Sequence, residues 1–288
     1  MCKINNKSGI SVIFILSLFL AYTTWAADSP SKGPRLYILD CGTIDPMDPT
    51  LFGLNADEIA GDGGFVSPCY LVVHPKGNLV WDVGQVPDAL IPDDGTVVSV
   101  QEILKASRKL GTQLAEVGLG FDDITYMAMS HYHGDHTGNA NSFAKNSTWI
   151  VQQPEYDVMF GDADVGILAR DTFQDLEFSR RLILPSEDHD VFGDGSVIIK
   201  FAPGHTPGHQ MLFLDLENYG PLLLSGDLWH FPEEQTLDRV PTFDADGEQT
   251  RRSRVKIEQF IEETGATMWI QHDPPTYAKL KKAPEFYD

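Results

Sequence analysis

The chain has 288 residues, with 42 acidic against 21 basic side chains and a formal net charge of −21. That length allows one large domain with a substantial core. So acidic a protein repels phosphate backbones, which argues against nucleic acid as partner or substrate, while leaving neutral small molecules open.

Residues 1–26 read as a secretory signal peptide. Lys3 and Lys7 open it, Ile10 to Leu20 is almost wholly apolar, and Thr24-Trp25-Ala26 offers small residues at a cleavage point. The apolar stretch is short for a membrane span. The expectation is a secreted or periplasmic protein with no membrane contact once the peptide is removed. Removal takes two lysines and no acid, leaving a charge of about −23. Cys41 and Cys69 would remain. An oxidising compartment permits a disulfide between them, and buried free thiols fit equally well.

Leu36 to Leu39 reads as a first strand, followed by a long acidic loop from Asp45 to Gly64. Cys69 to Val73 and Leu79 to Asp82 pair across a His74-Pro-Lys-Gly-Asn78 turn. Val98 to Val117 carries apolar residues at helical spacing, and Ile124 to Ser130 is a strand. Trp149 to Gln152, Val197 to Phe201, Met211 to Leu216, Leu222 to Ser225 and Thr267 to Ile270 are further strands. Glu248 to Thr264 reads as a charged amphipathic helix. Strand groups followed by a helix in both halves predict an α/β fold with two packed sheets and helices outside. No linker interrupts residues 27–288, so a single domain is expected.

The chemistry concentrates in His131-Tyr-His133-Gly-Asp135-His136, directly after the 124–130 strand. Imidazole and carboxylate are donors for divalent metals. His131 and His133 are two apart, so they point the same way only while the chain is extended or turning. Asp135 and His136 then come from the turn into the next helix, so one loop can serve two adjacent ions. Three further positions each fall where a strand runs out. Phe201-Ala-Pro-Gly-His205-Thr-Pro-Gly-His209 is a rigid turn, Leu222-Leu-Leu-Ser-Gly-Asp227 ends in a carboxylate, and Met268-Trp-Ile-Gln-His272 ends in an imidazole. In layered α/β folds such ends gather on one rim.

In residue type, order and context, the set His131, His133, Asp135, His136, His205, Asp227 and His272 resembles the metallo-β-lactamase superfamily of dinuclear hydrolases. The resemblance covers essentially the whole chain after the signal peptide. It implies an αββα sandwich, two mixed sheets packed face to face with helices outside and metals at one edge. It implies two divalent ions, zinc first, with cobalt, manganese or iron as alternatives. His131, His133 and His205 would hold one, Asp135, His136 and His272 the other, with Asp227 bridging. His209 would stand behind these donors, and Asp82 would be a supporting carboxylate. A donor set of N and O only suits catalytic rather than structural zinc.

Asp227 stands where class B β-lactamases of the common type carry a cysteine, which argues against β-lactam hydrolysis. His205-Thr-Pro-Gly-His209-Gln210, Gly226-Asp227-Leu-Trp-His230 and Ile270-Gln-His272-Asp273 resemble the quorum-quenching N-acyl homoserine lactone lactonases. The implied activity is opening of a small neutral lactone by a metal-bound hydroxide. Leu51, Phe52, Leu54, Ile59, Phe65 and Trp229 are candidates for an acyl groove. Many such lactonases carry tyrosine three residues after the bridging aspartate, and here that position is His230. A histidine there can donate the same bond or titrate near neutral pH. Asp135 and His230 are the candidate catalytic residues. Related organophosphate triesterases also show histidine at that position, so a triesterase or arylesterase is the alternative, followed by a metal-binding protein without turnover. A homodimer stays open, and so does the part of the 45–64 loop: a lid, a dimer contact or a mobile segment.

Overall fold

The structure is a computed structural model that describes Met1 and residues 33–161 and 170–288. The expected signal peptide, residues 1–26, lies outside the described residues apart from Met1. Thirteen strands are described: β1 Arg35–Ile44, β2 Phe65–His74, β3 Gly77–Trp81, β4 Val98–Val100, β5 Leu104–Ala106, β6 Tyr126–Ala128, β7 Thr148–Gln152, β8 Arg180–Leu184, β9 His189–Asp190, β10 Val197–Phe201, β11 Gln210–Leu216, β12 Gly220–Leu224 and β13 Thr267–Trp269. The helices are α1 Leu110–Glu116, α2 Gly134–Thr137, α3 Gln153–Phe160, α4 Arg170–Phe173, α5 Pro232–Thr236, α6 Gly247–Thr264 and α7 Pro274–Tyr277.

An eight-stranded sheet runs β4-β5-β1-β2-β3-β6-β7-β8, and a five-stranded sheet runs β13-β12-β11-β10-β9. The layers follow from the two-residue alternation of side chains. In β1, Leu36 and Ile38 face the second sheet, where they meet Leu212, Leu214 and Leu224. Tyr37 and Leu39 face the other way, into a cluster with Leu110 and Leu114 of α1 and Met159 of α3. The second sheet divides likewise: Met211, Phe213 and Leu223 turn outward onto Ile257 of α6. Central strands such as β2 and β11 are covered on both faces and read as nearly continuous apolar runs. The layers are helix, sheet, sheet, helix, the αββα sandwich expected.

One expectation needs correction. The stretch 98–117 is not one helix: Val98–Val100 and Leu104–Ala106 form an antiparallel hairpin, and only Leu110–Glu116 is helical. Val98, Val100, Leu104 and Ala106 alternate with Ser99 and Lys105, a period of two that a short window does not separate from helical spacing. Gln101 and Glu102 make the intervening turn at φ 50° and 68°. The 45–64 segment is a loop, as expected. It contains a 3₁₀ turn, Pro49–Phe52, capped by Asp48, and it buries Phe52 and Leu54. The strand β8 and the helix α3 were not foreseen. Cys41 and Cys69 are joined in a disulfide between β1 and β2.

Candidate metal centre

Strand direction gathers the candidate donors. β3 and β6 are parallel, as are β12 and β13. β10 and β12 both run antiparallel to β11, so they share a direction. Within each sheet these C-terminal ends therefore point one way, and Asp82, the 131–136 loop, His205, Asp227 and His272, which follow them within a few residues, meet on one rim. Gln210 ties the two sheets together there. Its backbone N–H donates to the Ser130 carbonyl (2.9 Å) and its side-chain amide to the Met129 carbonyl (2.8 Å).

All seven candidate donors converge, in two groups that share one residue. His131, His133, His205 and Asp227 form the first, and Asp135, His136, Asp227 and His272 the second, the donor atoms of each lying within 4.8 Å of one another. Asp227 is divided between them. Its Oδ2 lies 3.7 Å from Nε2 of both His131 and His205, while its Oδ1 lies 3.0 Å from His272 Nε2 and 3.3 Å from His136 Nε2. His133 lies on extended backbone at the N-cap of α2, and Asp135 and His136 occupy the first turn of that helix. That is the geometry the 131–136 spacing requires. The approach of Asp227 depends on Gly226, which sits at φ 49°; a Cβ there would fall 2.7 Å from His209 Nε2 and 2.8 Å from Ser130 Cβ.

Hydrogen bonds on the outer side of the rings fix which nitrogens face inward. Nδ1 of His205 donates to Asp244 Oδ1 (2.8 Å), and Nδ1 of His272 to the Val66 carbonyl (2.8 Å). His136 Nδ1 lies 3.1 Å from Asp82 Oδ2. An imidazole held this way by a carboxylate or a carbonyl presents the lone pair of its other nitrogen, the arrangement metal-binding histidines adopt. In the first group the inward nitrogens of His131, His133 and His205 form a triangle with sides of 2.8, 3.0 and 3.1 Å. In the second, His136 Nε2 and Asp227 Oδ1 are buried and make no hydrogen bond, although 3.3 Å apart. Close donors aimed at a shared point fit divalent cations.

Electrostatics agree. Burial pushes His133 and His205 down to about 3 and holds His131 well below the ordinary range, so these rings are neutral donors. Burial also opposes charge on His136, yet Asp135, Asp227 and Asp82 outweigh it and hold that ring well above its usual value. Against its own burial, Asp227 is kept well below the carboxylate range by His272, His136 and His131. A ring proton and a cation are alternative ways of balancing those carboxylates.

His209 and Asp82 support the site from behind. His209 donates from Nδ1 to the Ala202 carbonyl (2.9 Å) and accepts from the Asp227 backbone N–H (3.0 Å), which fixes the turn carrying Asp227. Asp82, at φ 54°, accepts from the Ser130 N–H and from the Gln271 amide, both at 2.6 Å. Three contributors were not read from sequence. Asp244 lies in an irregular loop with no periodicity to mark it, and Gln271 is reached only through folding. Glu234 did leave a signal: it stands four residues after His230, on the same side of a turn.

His230 closes the site on its apolar side. Its Nε2 lies 3.2 Å from Asp227 Oδ2 and its Nδ1 3.3 Å from Glu234 Oε1. Burial works against its charge, but Glu234 and Asp227 push it up to about 10. Glu234 is itself buried against Arg254 (2.5 Å). Around His230 and Asp135 opens a cavity of about 350 Å³. Leu51, Phe52 and Phe65 line it, as expected, together with Met47, Ile103 and Phe243, which were not foreseen. Leu54 and Ile59 pack behind that wall. Trp229 does not reach it: its ring is fully buried outside the second sheet, with the Arg254 guanidinium 5.2 Å from its centre.

Residues 62–265 match the metallo-beta-lactamase superfamily. The chain belongs to that superfamily. Among relatives of this metallo-β-lactamase-type chain is the N-acyl homoserine lactonase AttM of Rhizobium radiobacter, 32% identical over 263 residues that span 88% of this chain and 98% of the relative. Solved structures of the same fold include an N-acyl homoserine lactone hydrolase with the product N-hexanoyl-L-homoserine at its catalytic metal centre. It is 23% identical with a TM-score of 0.72, over 89% of this chain and all of that one. Another is AidC, a dizinc quorum-quenching lactonase in complex with product, 19% identical with a TM-score of 0.66, over 88% of this chain and 94% of that one.

Proposed function

We propose that this metallo-hydrolase opens the lactone ring of N-acyl homoserine lactones. The observation that carries the reading is Asp227, its two oxygens turned to separate donor groups at the foot of an apolar cavity. His131, His133 and His205 would hold one divalent ion and Asp135, His136 and His272 the other, with Asp227 shared. Bound there, such ions supply Lewis acidity that polarises a carbonyl and lowers the pKa of water from ~15.7 towards ~7. Zinc is the metal we assign, since nitrogen and carboxylate donors suit it and one structural relative is dizinc.

The remaining work falls to the chain itself. The wall of Leu51, Phe52, Ile103 and Phe243 takes an acyl chain and excludes water from it. His230, gripped between Asp227 and Glu234, donates an N–H to the ester carbonyl as negative charge develops there. Asp135 is the more open carboxylate, with 15% of its side chain exposed against 5% for Asp227, and it takes a proton from the attacking water and passes it to the departing ring oxygen. His230→Ala should lower kcat about 100-fold with KM changed far less, and unchanged turnover would remove His230 from the reaction.

Several supports point to export. The 1–26 segment has a signal peptide's composition, and the Cys41–Cys69 disulfide suits an oxidising compartment. Residues 27–288 would then act as one secreted or periplasmic domain. Its net negative charge disfavours nucleic acid and helps to expel an anionic hydrolysis product.

His230 also favours a second reading, hydrolysis of organophosphate triesters or aryl esters, because the tyrosine many lactonases carry there is absent. Zinc- or cobalt-loaded enzyme assayed on hexanoyl and longer acyl homoserine lactones beside paraoxon separates the two. We expect a higher kcat/KM on the lactones; equal or better efficiency on paraoxon reverses the order.

A further inference from the structure

Behind the first donor group, and touching none of its donor atoms, lies a carboxylate outside the reaction described above. Glu155 belongs to the first turn of α3, which begins at Gln153 directly after β7 and has Pro154 as its second residue. Only 3% of it is exposed. One of its oxygens accepts from the Tyr132 backbone N–H (2.8 Å). The other accepts from the Thr206 hydroxyl and the Gly208 backbone N–H, both at 2.8 Å. Tyr132 stands between His131 and His133, and Thr206 directly follows His205. A single buried carboxylate thus bridges the two separate loops that supply the three imidazoles of the first group.

The local sequence is built for this contact. A Cβ on Gly208 would fall 2.5 Å from the Glu155 backbone nitrogen, so the 205–209 loop approaches this closely only with glycine there. Burial pushes Glu155 up to about 7 against its three donors. A carboxyl group is costly in such surroundings, and an apolar residue would fill the space without that cost. What an apolar residue lacks is acceptors on both oxygens for donors on two loops.

We infer that Glu155 is a positioning residue for the first metal group, setting the separation of the 131–133 and 205–209 loops and hence the size of the His131, His133, His205 triangle. The second group takes only Asp135 and His136 from the first of these loops, further along in α2, and neither of its remaining donors from the other. The effect therefore falls mainly on the first ion, reaching the second only through Asp227, whose turn His209 holds. This rests on the two-ion reading of the site.

The test measures zinc affinity by competition with a chelator in two backgrounds, His272→Ala, which keeps the first group whole, and His133→Ala, which keeps the second. Adding Glu155→Gln preserves volume but turns an amide N–H₂ towards one of the loops. We expect zinc affinity to fall about 10- to 100-fold in the His272→Ala background, the range for residues that orient metal-binding side chains, and by less than about threefold in the His133→Ala background. Equal losses in both, or no loss in the first, overturn the assignment. If the Glu155→Gln proteins do not fold, Thr206→Val keeps the carboxylate and removes one donor. It should weaken zinc several-fold in the first background alone, and an unchanged affinity there overturns the inference. Should neither background bind zinc before Glu155 is altered, the two-ion reading itself falls, a result distinct from the loss of selectivity.

Discussion

At the scale of single residues, the site is a set of lone pairs whose direction is fixed from outside. Asp244 makes the point: its Oδ1 accepts from His205 Nδ1 (2.8 Å) while its Oδ2 accepts from the Thr250 hydroxyl (2.6 Å). Asp244→Asn can offer an N–H where His205 needs an acceptor, which favours the tautomer with its proton facing the other donors. Zinc affinity of the first group should fall about 10- to 100-fold, read by chelator competition; an unchanged affinity would mean that His205 is oriented by packing alone. All seven candidate donors were legible in the sequence, because four lie within six residues and the others follow strand ends. The residues that aim them were mostly not. Asp244 and Gln271 reach their partners across long stretches of chain, through contacts that no local pattern encodes.

At the scale of elements, the strands ending in donors could be read, and the hairpin at 98–106 could not. Its apolar residues suit either period over so short a run, and the choice is made by pairing with β1, Thr43 to Lys105 and Ile44 to Leu104. That pairing matters for function, since Ile103 and Leu104 help to wall the cavity. The acyl groove was accordingly only half visible: Leu51, Phe52 and Phe65 follow from composition, whereas Phe243 arrives from nearly two hundred residues away. Trp229 was expected in the groove, but its ring packs away from the cavity, against Arg254. Between β1 and β2 the disulfide closes a separation of 28 residues. Replacing Cys41 and Cys69 by serine should lower unfolding free energy by about 3 kcal/mol, measured by denaturant titration. No shift in the midpoint would mean that the strand pair needs no covalent tie.

At the scale of the whole molecule, layer order and net charge were both accessible from sequence, and the balance of buried charge was not. Glu155 carries a prediction of this kind. Its value in the folded protein, about 7, lies above the ordinary 4.5, so the native state holds this proton more tightly than the unfolded chain. The associated stability is complete below about pH 4.5 and is lost as pH rises to about 7. At about 1.4 kcal/mol per pH unit, that is on the order of 3 kcal/mol. Glu155→Gln cannot titrate. The stability difference between wild type and variant should therefore move by that amount across the window and stay flat above it, and parallel pH curves would refute the assignment.

The measurement that bears most directly on the whole account is metal stoichiometry by mass spectrometry, on protein purified without chelators, for the wild type and Asp227→Ala. The wild type should hold two divalent ions per chain, and the variant, deprived of the one carboxylate that faces both groups, no more than one. Two ions retained in Asp227→Ala, or none taken up by the wild type from zinc or cobalt, would contradict it.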